Sequence, residues 1–240
     1  MSASKGDASG YEMKPDEIVR EALKAGSRSV SYTYTEPTIF FEYAYETSKK
    51  AAEKGISNIF VTNGYMTPEA LEKISPFLSA VNVDLKFFSD DIYRKICGAS
   101  LFPVLETISK IKNSGIWLEV TTLVITGLND SERELRDVAR FLASLSKDIP
   151  WHVSSFHPDH MMMDVPPTSP RKIEEAKIIG HEEGLKFVYG GNVLSSEETR
   201  CSGCGTVLIE RRGHSAKILN GFSPSGECPK CRERLAGVFS

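Results

Sequence analysis

Residues 117–156 read WLEVTTLVITGLNDSERELRDVARFLASLSKDIPWHVSSF. The stretch opens on a β-branched apolar run, Trp117–Ile125, turns at Gly127 and Asn129, and enters a helical pattern over Ser131–Ser146. Asp130 is placed to cap that helix, and Glu132 and Glu134 fall in its first turn, where the helix dipole favours acids. A second apolar run, His152–Phe156, follows. Strand, helix, strand within forty residues is the unit of a parallel sheet with right-handed crossovers.

The same alternation extends outward in both directions. Strands are expected at Arg28–Thr35, Asn58–Thr62, Val81–Lys86 and Leu185–Tyr189, and helices at Pro15–Ala25, Thr38–Lys54, Pro68–Ser75, Asp90–Cys97, Pro103–Ser114 and Pro170–Glu183. Pro68 after Thr67 marks a helix start, and Gly55, Gly115 and Gly184 stand where helices stop. Alternation alone leaves a doubly wound sheet and a barrel open. Both put function at the carboxyl ends of the strands.

The 240 residues carry 40 % hydrophobic and 25 % charged side chains and a net charge of -3. That composition excludes a disordered, collagenous or coiled-coil chain, and gives no global basic field for nucleic acid or an anionic membrane. No apolar run approaches the ~18–20 residues of a membrane span, and the first ten residues have no apolar segment of a secretory signal. The expectation is a soluble, cytoplasmic protein with residues 1–10 disordered, a main domain over 11–194 and a small module over 195–240.

Four of the five cysteines define that module: Cys201 and Cys204 in CSGC, Cys228 and Cys231 in CPKC. Two such knuckles joined by a β-hairpin bring four thiolates together, a ligand set for tetrahedral zinc with no open position. Iron on four thiolates is the alternative ion. A saturated site of this kind is structural, and it staples a segment too small to fold on its own core.

At the strand ends of the main domain, polar residues and glycines recur. Glu36 sits in YTYTEPT, either as a carboxylate for a ligand ammonium or as a cap on the next helix. Asn63 offers donor and acceptor in TNGY. Asp84 and Lys86 in VDLK form an ion pair, a ligand clamp or, at Lys86, a Schiff-base amine. His157 follows the fifth strand, Met161–Met163 lie in a Pro-rich loop, and Gly190 and Gly191 allow close backbone approach. Together they make a small-molecule site above a parallel sheet.

The ordered set YTYTEPT, TNGYMT, VDLKFF, LVITGLNDS, PWHVSSFHPDH and KFVYGGNV, covering roughly residues 11–240, resembles radical SAM proteins of the pyruvate-formate-lyase-activating type. Within them it is most similar to the radical SAM member of the AmmeMemoRadiSam system, which shares the C-terminal cysteines. The resemblance implies a partial (β/α)6 barrel that binds S-adenosylmethionine across its strand ends and cleaves it reductively to a 5′-deoxyadenosyl radical. It places Glu36 at the methionyl amine, Asn63, Asp84, Lys86 and His157 along the cofactor and substrate pocket, and Asn192 near the adenosine. It also implies Memo-like and AMMECR-like partners. Thr126 stands where the family usually has proline, and Ser155 where it has arginine.

The family holds a [4Fe–4S] cluster on CxxxCxxC, and that motif does not occur in this sequence; Cys97 alone does not replace three ligands. The expectation is therefore a family member whose cluster loop and first strand lie outside the sequence. Such a chain is catalytically incomplete by itself, and an open edge at Arg28–Thr35 favours self-association. Two other functions compete with it: a non-enzymatic barrel that binds S-adenosylmethionine or a partner, and a barrel enzyme using Lys86 as a Schiff-base amine.

Overall fold

The computed structural model describes residues 11–193, 195–213, 215–223 and 225–239. Residues 1–10, expected to be disordered, lie outside the described residues. In chain order the elements are α1 (Pro15–Lys24), β1 (Ser29–Tyr32), α2 (Phe41–Glu53), β2 (Ser57–Thr62), α3 (Pro68–Ile74), β3 (Ala80–Asp84), α4 (Asp90–Ile92), α5 (Leu101–Asn113) and β4 (Trp117–Val124). There follow α6 (Glu132–Leu145), β5 (Trp151–Ser155), α7 (Pro170–Glu182) and β6 (Val188–Gly191), then three short strands, β7 (Glu197–Arg200), β8 (Val207–Arg212) and β9 (Ser215–Ile218). The parallel strands follow the order β1-β2-β3-β4-β5-β6, with β1 at one end, and β7–β9 form an antiparallel sheet.

The chain divides into two compact units, one running to Leu85 and taking in Phe102–Leu118, the other comprising Lys86–Leu101 and the chain from Glu119 onward. In the first, β2 and β3 alternate strictly: Asn58, Phe60, Thr62, Val81 and Val83 are buried, and the residues between them are half-buried. Asn58 is polar at the bottom of that core and fully used. Its Oδ1 accepts from the Tyr32 hydroxyl at 3.1 Å, and its Nδ2 donates to the Ser48 and Phe77 carbonyls at 2.8 and 3.0 Å. A buried amide so satisfied fixes register rather than weakening the core.

In the second unit, Trp151 is fully buried and donates its indole N–H to Thr122 Oγ1 at 3.0 Å. Helix α7 lies close on β5 and β6 because Gly180 has no side chain: a Cβ there would meet Val188 at 2.8 Å and the Trp151 ring at 3.1 Å. The antiparallel ribbon builds its core from Cys201, Leu208, Phe222, Cys228 and Leu235 together with Phe187, which precedes β6. Among the described residues no helix is long and apolar enough to cross a membrane.

Several boundaries differ from the sequence expectation, each for a local reason. Ser131, not Asp130, caps α6, accepting from Glu134 N at 3.2 Å, because Asp130 Oδ1 is taken by Gly127 N at 2.9 Å within the preceding turn. The helix expected over Asp90–Cys97 is a single α-turn that widens into a π-helical segment, Tyr93–Cys97, and stops at Gly98 in the left-handed region. The last parallel strand starts at Val188 rather than Leu185. Leu185 is buried in the turn after α7, its N–H on Gly180 O at 3.0 Å.

Candidate functional site

In the first unit the carboxyl ends of β1 and β2 are joined by one side chain. Glu36 lies in the turn between β1 and α2, and its Oε1 accepts from Thr62 Oγ1 at 2.6 Å, Thr38 Oγ1 at 3.1 Å and Thr38 N at 3.3 Å. Its Oε2 accepts from Asn63 N at 2.7 Å. A carboxylate offers about four acceptor positions, so Glu36 is largely occupied by its own chain and leaves one direction at Oε2. Glu36 and Asn63 are thus brought together, with Thr62 between them. Nothing in the sequence reading had marked Thr62, although its place before Asn63 at the end of an apolar strand is where a strand-end hydroxyl would be sought.

Asn63 holds its own turn by accepting from Tyr65 N at 2.8 Å. Its Nδ2 has no hydrogen-bond partner among the described residues. Tyr34, in the same strand-end loop as Glu36, takes a left-handed backbone, φ 66°, with its ring wholly exposed. A non-glycine residue in that region costs about 1–3 kcal/mol and is kept only where the surroundings enforce it; here the Glu36 tie begins two residues on. Asp84 is the half-buried last residue of β3.

The second unit has its own strand-end hydrogen bonds. The buried Asn129 accepts from Ile125 N at 2.6 Å and donates to Leu123 O at 2.9 Å and to Lys86 O at 2.7 Å, pinning the backbone at Lys86. Thr168 ties the ends of β4 and β5, its hydroxyl on Val124 O and accepting from Phe156 N at 3.0 Å. Asn192 is exposed, has φ 54° and donates to Ser155 O at 3.2 Å, so it and the end of β5 are held together. His157 is exposed beyond β5. Thr168 was invisible in the sequence because it lies twelve residues past Phe156, the residue it holds just beyond β5.

The four C-terminal cysteines converge. All four Sγ atoms lie within 4.8 Å of one another, with Cys201–Cys231 at 3.5 Å and Cys204–Cys228 at 3.7 Å. A tetrahedral ion with metal–sulfur bonds of about 2.3 Å sets its sulfurs about 3.8 Å apart, so the spacing suits one ion. A four-iron cluster interposes its own iron–sulfur edges and holds its thiolates further apart. The short contacts run across the two knuckles, not within either CxxC. Hydrogen bonds from Thr206 pull the Cys204 thiol down to about 6. At Cys231 the N–H of Glu233 lowers the thiol, but Cys201 and the other thiols outweigh it and push it up to about 12. The crowded thiols thus share a first negative charge unequally, with Cys204 the favoured thiolate.

A model of the radical SAM superfamily matches residues 2–142. An uncharacterized protein of Methanocaldococcus jannaschii is 43 % identical over 227 residues, which are 93 % of this chain and 67 % of that protein. The isethionate sulfite-lyase activating enzyme of Oleidesulfovibrio alaskensis is 27 % identical over 115 residues, 46 % of this chain and only 37 % of the enzyme. Among solved structures, a domain of the pyruvate-formate lyase-activating enzyme from Bacteroides vulgatus superposes with a TM-score of 0.61 at 19 % identity, covering 68 % of this chain and 98 % of that one; at that identity the likeness is one of fold. With the family model spanning more than half of its residues and a relative so similar over nearly its full length, the chain belongs to the radical SAM superfamily.

Proposed function

We propose that this chain is the S-adenosylmethionine-binding portion of a radical SAM enzyme of the activating-enzyme type, and within that group the radical SAM member of an AmmeMemoRadiSam system. The observation that carries the reading is the Glu36 tie. It fixes two adjacent strand ends through four hydrogen bonds and leaves the Asn63 amide with unused donors beside a free acceptor direction on Oε2. A zwitterionic amino-acid end needs that pairing, a donor for its carboxylate and an acceptor for its ammonium. The residues of the first unit therefore fit the methionyl part of the cofactor, with Glu36 Oε2 toward the ammonium, and Asp84 contributes a second acid at the end of β3. Lys86, His157 and Asn192 of the second unit keep the cofactor-lining assignment that the resemblance gives them. When bound, the cofactor supplies the family's reductive cleavage chemistry.

The family's [4Fe–4S] cluster is a different case. The sequence has no CxxxCxxC, Cys97 is exposed and stands alone, and the C-terminal thiols are spaced for a single ion. The residues present do not fit the cluster, and no step is derived through it. At Cys201, Cys204, Cys228 and Cys231 we assign zinc in a structural role, since four thiolates saturate it and leave no position for substrate. Memo-like and AMMECR-like proteins, and a second copy of this chain at the β1 edge, are the partners this reading carries.

Titration calorimetry with S-adenosylmethionine on the full chain tests the reading. Saturable binding is expected, weakened about tenfold in Asn63→Ala with only the small loss of melting temperature that one turn hydrogen bond carries, and weakened with a larger loss of stability in Glu36→Gln. Absence of binding to the wild-type protein overturns it. Elemental analysis of the same sample is expected to give about one zinc per chain; iron and sulfide in equal amounts would overturn the metal assignment.

A further inference from the structure

In the second unit, one face of β4, β5 and β6 is buried: Val120, Thr122, Val124, Trp151, Val153 and Val188 all turn to it. The opposite face carries Glu119, His152, Ser154, Tyr189 and Gly191, all half-buried, and Leu123 on that face is 37 % exposed. Parallel strands ordinarily bury apolar residues on both faces, and a closed parallel barrel fills its interior with branched side chains. A carboxylate, an imidazole, a hydroxyl and a phenol in neighbouring positions contradict that use, because polar groups packed into an interior must all be satisfied.

The imidazole and the serine hydroxyl are satisfied only in part. Register sets His152 opposite Tyr189 and Ser154 opposite Gly191. Glu119 Oε2 lies 2.6 Å from His152 Nε2. A carboxylate only accepts, so Nε2 carries the hydrogen, and in that Nε2–H tautomer the ring's lone pair is at Nδ1. Behind the histidine stands Tyr189, ring centroids 5.5 Å apart. The ribbon holds that tyrosine: its hydroxyl is 2.9 Å from Thr199 Oγ1, the Arg211 guanidinium lies 5.2 Å from its ring centroid, and Arg211 also donates to Thr199. Among the described residues, His152 Nδ1 and Ser154 Oγ have no hydrogen-bond partner. Gly191 makes room for the hydroxyl: a Cβ there would stand 2.2 Å from Ser154 Oγ.

We propose that His152 Nδ1 and Ser154 Oγ are a ligand-binding pair for an uncharged group bearing a hydroxyl or an amide N–H, with Glu119 orienting the imidazole and the ribbon bracing it through Tyr189. The two atoms belong to alternate residues of one strand, so they address points about 6–7 Å apart on a single ligand. The ligand group is neutral because Glu119 repels an anion at this point and Nδ1 asks for a donor. A ribbon with a saturated metal thereby acquires a part in function without its metal touching substrate. Identifying this ligand as the substrate rests on the radical SAM reading; the binding itself does not.

The test uses the full chain labelled with 15N-histidine and free of S-adenosylmethionine, with the His152 imidazole signals assigned from their absence in His152→Gln. The probes are 1,2-propanediol, acetamide, acetate and methylammonium. Saturable shifts of His152 with the diol or the amide are expected, and whichever of the two binds names the ligand's source. His181, whose Nδ1 is on Leu185 O at 2.9 Å, is the unmoved control. Ser154→Ala and Gly191→Ala are each expected to weaken binding about fivefold, one hydrogen bond's worth, and Ser154→Ala removes only a hydroxyl from a half-open face. No His152 shift with either neutral probe overturns the proposal. So does an equal response to acetate or methylammonium, or unchanged affinity in both variants. Calorimetry with S-adenosylmethionine on the same sample separates this failure from failure of the cofactor assignment.

Discussion

The ribbon and the parallel strands it follows are held by different physics. Strands β4–β6 are built on Trp151, Val120 and Val153, all fully buried, under helices that supply Leu135, Leu142 and Ile173 to the same degree. The ribbon has six core positions, two of them cysteines and one, Phe187, taken from the chain before β6, and its strand β9 is exposed throughout. Apolar burial is ample in the first region, whereas in the second it is too small to order forty residues. On the zinc assignment proposed above, a handful of ligand atoms does in the ribbon what some dozen side chains do in the sheet, so the two regions are expected to fail under different insults.

With the proposed zinc on the four cysteines, the largest effect follows from removing it. A structural zinc on thiolates is worth on the order of 10 kcal/mol or more to the fold it closes. Cys228→Ser, or a strong chelator, is expected to release the ion and abolish hydrogen-exchange protection across β7–β9. Because Phe187 and Tyr189 pack into the ribbon core, protection at the start of β6 is expected to fall with it, while β1–β3 keep theirs. Protection that persists in the ribbon of the metal-free protein would show that its small core suffices and erase the contrast.

The converse perturbation is Trp151→Ala. It removes the largest fully buried side chain and leaves the Thr122 hydroxyl without its donor. The expected loss is about 3–5 kcal/mol in urea unfolding, with the zinc content unchanged. A variant that lost both stability and zinc would mean that the regions are one cooperative unit.

Legibility in the sequence divides along the same line. Four cysteines at CxxC spacing announced the ribbon because metal ligation depends on a few residue identities, and these stand close together in the chain. Alternation of 3.6- and 2-residue periods announced the parallel strands for the same local reason. What stayed hidden was long-range: Thr168 bonding β4 from 44 residues away, Thr62 reaching Glu36 across 26 residues, and β7, whose Glu-Glu-Thr-Arg has no apolar pattern and becomes a strand only because β8 pairs with it. Glu36 shows the limit within the site itself. Its position marked it as a cofactor contact or a cap, but the structure uses it first as a clasp between two strand ends. No residue pattern encodes which donors a carboxylate will meet after folding.

The smallest effect separates the regions by proton. Helices α6 and α7 are tied at the surface by Glu183, which accepts from Arg136 at 2.6 Å and Arg140 at 3.0 Å. Arg136 first, then Arg140, holds the Glu183 carboxyl below its ordinary value of 4.5. A carboxyl depressed in the folded state stabilises fully above its unfolded pKa and loses that contribution as pH falls through the lower folded value. The melting-temperature difference between wild type and Glu183→Gln is therefore expected to be flat above about pH 6 and to shrink from pH 4.5 downward. Added salt should reduce it at neutral pH, because Arg140 and Glu182 in this network are more than half exposed. Acid is also expected to loosen the ribbon, by protonating the thiolates that hold the proposed zinc, and the zinc content of Glu183→Gln should follow the wild type at every pH. A difference that grows on acidification would place the decisive protons elsewhere on α6 and α7. A zinc profile that moved with the substitution would mean that the surface tie and the sulfur knot, though held by different forces, report to each other through β6.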